Sequence, residues 1–316
     1  MENILPIIDL AQFVNGSAAE RAKFVEQLGA AYENTGFVAV VNHGIDDALV
    51  SSFYEEATAF FALPTDTKLE YEVVALAGQR GYTSFGREKA KGYQAADLKE
   101  FWQLGQTVID GDAVASLYPD NIEVDSLPAF NAVGKQLYAA FEACGTRLLQ
   151  AIALYLHIDE FYFDPHVHNG NSILRAIHYP PIVAEPASAI RAEQHEDINL
   201  ITLLVGASAG GLELLTRADE WKPVNAAPGQ IVVNVGDMLQ RLTNNRLKST
   251  THRVVNPPRE RWHEPRLSIP FFLHPRSDMR LDCLSNCVSD TNPKAYESIT
   301  AGLYLDERLR EIGLKK

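Results

Sequence analysis

Residues 195–205 read His-Glu-Asp-Ile-Asn-Leu-Ile-Thr-Leu-Leu-Val. The run Leu200–Val205 has the length and apolar character of a buried strand. Similar short runs recur between turn residues in the second half of the chain, at Ile173–Tyr179, Gly211–Leu215, Gln230–Val235, His252–Val255 and Leu267–Leu273. Many short strands separated by turns predict a sandwich or barrel of the jelly-roll type.

The first half of the chain has a different pattern. Apolar residues recur at helical spacing in three segments, at Ala18–Asn34, Asp46–Phe61 and Pro128–Leu156. Strand-sized apolar runs lie at Pro6–Leu10 and Phe37–Val41, whereas residues 78–92 are rich in Gly and Lys without periodicity and predict a long loop. This half is therefore expected to be mainly helical.

Together the two patterns predict an α+β protein. A mainly helical region, residues 1–163, is expected to pack on a jelly-roll core, residues 164–316. Short helices are expected at Gly236–Leu242 and at Ile299–Ile312, the latter packing on the core. No repeat, low-complexity tract or linker separates the halves, so we expect one structural unit.

Composition and charge argue against several classes of partner and location. The 316 residues carry 28 Lys and Arg against 41 Asp and Glu, a net charge of −13, which argues against a nucleic-acid partner. No run approaches the roughly 18 apolar residues of a membrane span, and Met1–Pro6 shows no basic segment of a secretory leader. With only three cysteines, Cys144, Cys283 and Cys287, a cytoplasmic location is expected.

His195-Glu196-Asp197 is the leading candidate for a metal site. On a strand, residues two apart point to the same face, so His195 and Asp197 can reach one ion. His252, which begins another strand-like run, is the candidate for the third ligand. Two imidazoles and one carboxylate on one face of an octahedron leave positions open, which suits non-haem Fe(II).

A second His-x-Asp motif, His157-Ile158-Asp159, lacks that context. It lies at the end of the long helical pattern, where residues two apart point away from each other. A shared metal ion is therefore not expected there.

Arg266-Leu267-Ser268 predicts an anion site. Arg266 and Ser268 share one face of a strand, where a guanidinium fork and a hydroxyl can clamp a carboxylate. Tyr179, at the end of another strand and before Pro180-Pro181, can add a hydroxyl to the same site.

Gly206-Ala207-Ser208-Ala209-Gly210 keeps a different enzyme class open. The pattern Gly-x-Ser-x-Gly is the nucleophile elbow of α/β-hydrolases, with Ser208 as nucleophile and Asp237 and His252 as partners. That elbow requires a following helix, whereas Gly210–Leu214 reads as a turn and a strand. A metal-free binding protein on the same fold is the other alternative.

The sequence resembles the 2-oxoglutarate- and Fe(II)-dependent dioxygenases related to isopenicillin N synthase, flavonol synthase and gibberellin oxidases. The resemblance covers nearly the whole chain. Besides the Tyr-Pro-Pro, His-x-Asp, distal His and Arg-x-Ser motifs, it rests on Ile4–Leu10, Gly36-Phe37-Val38, Asn42–Ile45, Phe60–Pro64, Gly81-Tyr82 and Asp97–Glu100.

The resemblance implies a distorted double-stranded β-helix that oxidises, most often hydroxylates, a small organic substrate. His195, Asp197 and His252 would hold Fe(II) and act in catalysis, and dioxygen and 2-oxoglutarate would be cosubstrates, the latter converted to succinate and CO2. Arg266, Ser268 and Tyr179 would bind 2-oxoglutarate, while the loop at residues 81–92 would cover the site. The protein is expected to act as a monomer.

Two features leave an alternative within the family. Ile177 stands where many plant members have an Asn near the iron-side end of the cosubstrate. In isopenicillin N synthase the matching Arg-x-Ser pair binds the carboxylate of the substrate itself. An Fe(II) oxidase that uses no 2-oxoglutarate is therefore an alternative on sequence grounds.

Overall fold

The structure is a computed structural model that describes residues 5–90, 92–93, 95–108, 112, 114 and 117–315. Ile4 and the preceding N-terminal residues, which entered the sequence motifs, lie outside this range. Among the described residues the α-helices are α1 Leu10–Val14, α2 Ala18–Asn34, α3 Asp47–Phe61, α4 Thr65–Leu69, α5 Pro128–Tyr155, α6 Asp164–Val167, α7 Asp237–Leu242 and α8 Ala301–Glu311.

Local chemistry explains where the long helices begin. Ser17 caps α2, and its side chain and that of Glu20 satisfy each other's backbone N–H in a capping box. Asp46 caps α3 by accepting from the N–H of Ala48 at 2.8 Å. Pro128 occupies the first position of α5, where its missing N–H costs nothing.

The strands of the described chain form two sheets. The strands are β1 Ile7–Asp9, β2 Phe37–Val41, β3 Gly81–Thr83, β4 Glu100–Gly105, β5 Ile173–Tyr179, β6 Ala192–His195, β7 Ile201–Val205, β8 Leu212–Leu215, β9 Trp221–Pro223, β10 Ile231–Val235, β11 His252–Val254, β12 Arg266–Ser268 and β13 Pro270–Leu273. The major sheet has the order β1-β2-β10-β7-β13-β5-β4-β3, with β12 also paired to β5, and the minor sheet has the order β6-β11-β8-β9.

The two sheets share an apolar layer. Phe101, Ile177 and Val232 of the major sheet belong to the same buried cluster as Leu214 and Val254 of the minor sheet. Except for β1 with β2, the strand pairs are antiparallel. This arrangement is the distorted double-stranded β-helix, or jelly roll, and it confirms the predicted fold class.

The helices bury a second core against the major sheet. Phe141 and Leu148 of α5 lie in one cluster with Leu203 and Phe271, which belong to β7 and β13. The rings of Phe141 and Phe271 stack with their centres 5.4 Å apart. A helix of the first half thus supports the strands that form the wall of the jelly roll.

Three details of the predicted elements are wrong. The segment expected to be an unbroken loop at residues 78–92 contains β3, and the buried strand β4 was not anticipated. The single run Leu267–Leu273 is two strands, β12 and β13. The ladder breaks between them because Pro270 has no N–H to donate.

Gly145 of α5 tests whether the two halves form one structural unit, which stays a prediction. A Cβ at this position would lie 2.9 Å from Leu273 and 3.4 Å from Leu203. We predict that Gly145→Val lowers the free energy of unfolding by about 1–3 kcal/mol through overpacking. Urea unfolding followed by far-ultraviolet circular dichroism and by fluorescence should show one transition, displaced as a whole.

Ala132→Val, on the exposed side of α5, is the matched control and should change stability by no more than about 0.5 kcal/mol. Two separate transitions, with only one of them displaced in Gly145→Val, would contradict the single unit.

Candidate active site

Strand pairing in the minor sheet places two histidines side by side. Strands β6 and β11 are antiparallel, and their register makes His195 and His252 direct partners with ring centres 4.5 Å apart. Nδ1 of His195 donates to the carbonyl of Glu193 at 2.7 Å, and Nδ1 of His252 donates to that of Thr250 at 3.0 Å. Because a carbonyl only accepts, both Nδ1 atoms carry the proton and both Nε2 lone pairs are free.

Asp197 faces these two nitrogens. Its Oδ1 lies 3.8 Å from Nε2 of His252 and 4.0 Å from Nε2 of His195. Its Oδ2 accepts hydrogen bonds from Thr202 at 2.6 Å and from Asn234 at 2.8 Å. One oxygen is thereby fixed by the protein while the other is turned toward the imidazoles.

The prediction that His195 and Asp197 share one face of a strand is wrong. Strand β6 ends at His195, so Asp197 is not the next same-face residue of a strand. Its position is instead set by Thr202 on β7, by Asn234 on β10, and by its own carbonyl, which accepts from the N–H of Asp237 at 2.7 Å. The structure still brings the three predicted residues together, with one potential ligand atom from each within 4.8 Å of the others.

The protonation states suit a divalent ion. Burial would raise the pKa of Asp197, but His252, His195 and the hydrogen bonds from Asn234 and Thr202 hold it below its ordinary value. Desolvation, followed by the charge of His252, lowers the pKa of His195 to about 4. An ionised carboxylate beside imidazole nitrogens is a donor set that fits non-haem Fe(II).

The predicted carboxylate clamp is also assembled. Register between β12 and β5 makes Arg266 the direct partner of Tyr179, and Ser268 lies on the same buried face as Arg266. The guanidinium of Arg266 lies 5.0 Å from the ring centre of Tyr179, and its Nε donates to the carbonyl of Ala209 at 3.0 Å. Its Nη1 is buried without a partner among the described residues, so this donor is available to a bound acceptor.

All six predicted site residues line one cavity of about 450 Å³. That volume is within the range of pockets for small molecules. The wall combines the minor sheet, which carries the histidines, with the major sheet, which carries the clamp.

The hydrolase alternative does not survive the geometry. The segment after Ser208 continues through a turn into β8, not into a helix, so no nucleophile elbow forms. The Ser208 hydroxyl accepts from the N–H of Leu267 at 2.8 Å. In the second His-x-Asp motif, His157 is exposed and Oδ1 of Asp159 accepts from the N–H of Phe161 at 2.9 Å.

Sequence reasoning missed a group of charged residues in the same cavity. Glu88, Asp97, Lys99 and Arg175 all line it, together with Leu309 of α8. Asp97 and Lys99 were noted only as part of a motif. The signal that could have identified this group is Arg175, a cation that follows two apolar residues and precedes two more in strand β5.

Within the described residues, none of the helices has both the length and the apolar character that crossing a bilayer demands.

Comparisons with known proteins agree with this fold and donor set. The 2OG-Fe(II) oxygenase superfamily domain matches residues 170–275, and the N-terminal domain described as non-haem dioxygenase in morphine synthesis matches residues 5–125. The proline hydroxylase buaE of Petromyces alliaceus is 34% identical over 96% of this chain and 97% of its own.

Two solved structures extend the match. A 2OG-Fe(II) oxygenase family protein from Caulobacter crescentus has 45% identity and a TM-score of 0.88, covering 98% of this chain and 100% of its own. A full-length Neurospora crassa protein, solved in complex with alpha-KG and thymine, has 30% identity and a TM-score of 0.85, covering 98% of this chain and 97% of its own.

The fold and the donor set define the class as a non-haem iron oxygenase. The chain belongs to the 2OG-Fe(II) oxygenase superfamily. It is an oxidoreductase whose cofactor is Fe(II) and whose cosubstrates are 2-oxoglutarate and dioxygen, acting on a small molecule.

Thr202 tests how much the orientation of Asp197 contributes to metal binding. We predict that Thr202→Val, which removes one donor to Oδ2 at nearly constant volume, weakens Fe(II) binding by about 10- to 100-fold. Anaerobic calorimetric titration with Fe(II) measures the change. Thr58→Val, on the exposed face of α3, is the control. Equal affinities in Thr202→Val and the parent would mean that the hydrogen bond does not orient a ligand.

Proposed function

We propose that this enzyme hydroxylates a small organic molecule while 2-oxoglutarate is oxidatively decarboxylated to succinate and CO2. In this proposal His195, Asp197 and His252 hold Fe(II), and Arg266, Ser268 and Tyr179 bind the distal carboxylate of 2-oxoglutarate. The observation that carries it is that the His-Asp-His group and Arg266, whose Nη1 has no partner among the described residues, line the same cavity.

When bound, Fe(II) supplies the activation of dioxygen that oxidation of a C–H bond requires. The contribution of the three ligands is orientation. The Nδ1 hydrogen bonds hold both imidazoles with Nε2 toward the ion, and Thr202 and Asn234 leave Asp197 to bind through Oδ1. Three protein ligands would leave coordination positions of the ion free for the cosubstrates.

Arg266 selects the cosubstrate by charge and shape. A buried guanidinium stays charged, and its free N–H groups form a fork that matches a carboxylate. The hydroxyls of Ser268 and Tyr179, both buried beside it, add donors and keep water away from the ion pair. Burial makes this pairing strong because few water molecules compete for either partner.

We further propose that the protein acts as a monomer in the cytoplasm, without a nucleic-acid partner. These statements stay predictions that rest on the sequence. Among its relatives, a Neurospora crassa protein solved with thymine indicates thymine as the first compound to test as a substrate.

Loss of a ligand tests the metal assignment. His195→Ala and Asp197→Ala are each expected to abolish Fe(II)-dependent formation of succinate from 2-oxoglutarate, because two ligands bind the ion far more weakly than three. Succinate is measured by mass spectrometry, with anaerobic Fe(II) titration as a second readout. His157→Ala, in the other His-x-Asp motif, should behave as the parent. Persistent succinate formation in either ligand variant would refute the assignment.

The clamp has its own test. We expect Arg266→Lys to raise the KM for 2-oxoglutarate by about tenfold or more, because an ammonium cannot reproduce the bidentate fork. Arg259→Lys, a conservative change at an exposed arginine, is the control. An unchanged KM would contradict the clamp, and turnover of a substrate without any 2-oxoglutarate would instead favour an oxidase of the isopenicillin N synthase kind.

A further inference from the structure

Four charged side chains form a chain of ion pairs in the wall of the cavity. Nζ of Lys99 lies 2.5 Å from Oε1 of Glu88 and 2.8 Å from Oδ2 of Asp97. Nη1 of Arg175 lies 3.3 Å from Oε2 of Glu88. We call Glu88, Asp97, Lys99 and Arg175 the charge cluster. The charges of its two cations and two anions sum to zero.

Two members of the cluster, Glu88 and Lys99, are held in their charged forms by their partners. Burial would raise the pKa of Glu88, but Lys99 and Arg175 lower it to about 2. Burial opposes the charge of Lys99, yet Glu88 and Asp97 raise its pKa above the ordinary value. Oδ1 of Asp97 also accepts from the N–H of Glu193 at 3.0 Å. The charge cluster is therefore neutral because its ions balance one another. Removing the charge of one member would leave a net charge in the wall of the cavity.

Among the residues that the structure describes, the rest of the cavity supplies no buried cation that would be left unpaired. With the iron and 2-oxoglutarate bound as proposed, two charges on the ion and one on Arg266 balance Asp197 and the dianion. Arg308, on α8, is paired with Glu311 at 2.9 Å. Lys89 lines the cavity but is exposed, so water screens its charge.

Arg175 nevertheless retains N–H donors that these contacts do not use. Its Nε donates to Gln103 at 2.8 Å and its Nη1 to Glu88, while Nη2 has no acceptor among the described residues. The guanidinium lies 4.1 Å from the ring centre of Phe101 and 5.2 Å from that of Phe272, which also lines the cavity. A carbonyl oxygen can accept from this N–H without bringing a charge of its own.

We propose that Glu88 makes this cavity selective for an uncharged polar substrate that carries a carbonyl group, and that it rejects carboxylates. Glu88 pairs with both Lys99 and Arg175, and together with Asp97 it balances their two charges. An anionic substrate would therefore lose its hydration without gaining an unpaired cation. An uncharged carbonyl compound loses less hydration and still gains the hydrogen bond from Arg175. The inference deepens the proposed function, on which it rests.

Three planar molecules of nearly equal shape serve as probes: benzoate, benzamide and benzamidine are anionic, neutral and cationic. Binding to the full-length enzyme with Fe(II) and 2-oxoglutarate is measured by calorimetry under argon, where no turnover occurs. Benzamide is expected to bind the parent at least about tenfold more tightly than benzoate or benzamidine. Benzoate binding as tightly as benzamide would overturn the proposal.

Two variants reverse the selectivity in opposite directions. Glu88→Gln leaves a net positive cluster and should increase benzoate affinity at least about tenfold, whereas Lys99→Gln leaves a net negative one and should favour benzamidine. If the substitutions only loosened the surrounding loop, they would not shift the affinities for benzoate and benzamidine in opposite directions. Glu185→Gln, at an exposed carboxylate paired with Arg259, is the control.

The absence of a benzoate gain in Glu88→Gln would overturn the proposal even if the parent prefers benzamide. Failure of the proposed function is seen separately, as absence of Fe(II)-dependent succinate formation by the parent enzyme.

Discussion

The carboxylate of Asp197 is buried where the two sheets meet, and a charge in that position requires compensation from both sides. The major sheet provides Thr202 and Asn234 as donors to one oxygen, and the minor sheet presents His195 and His252 to the other. A small shift between the sheets would leave this carboxylate partly unpaired. The position of the metal site and the closure of the jelly roll therefore depend on the same few contacts.

The helices of the first half contribute to the site by supporting the sheet behind it. Helix α5 packs through Phe141 and Gly145 against strands β7 and β13, and β7 carries Thr202. Strand β4 pairs along its whole length with β5, which carries Arg175 and Tyr179. Residues far from the reacting atoms thus determine where the polar side chains of the cavity point.

The overall charge of −13 describes the outside of the molecule and not the cavity. Inside, Arg266 has an unpartnered Nη1, which in the proposed function receives the dianion of 2-oxoglutarate, while the charge cluster around Glu88 is balanced within itself. The cavity therefore combines a region near Arg266 that attracts negative charge with a region near Glu88 that has no net charge. Two ligands of different charge can occupy it in different places.

Local patterns in the sequence determined most of the secondary structure. The helical spacing of apolar residues predicted α2 at its observed bounds and α5 to within one residue, because amphipathic helices and their caps are properties of neighbouring residues. Motif spacing likewise singled out His195, Asp197, His252, Arg266, Ser268 and Tyr179. Only the tertiary structure decided that Asp197 is held by Thr202 and Asn234 rather than by a strand, and that Glu88, Asp97, Lys99 and Arg175 meet. Those contacts join residues distant in sequence, and the cost of burying a charge depends on partners that no local pattern contains.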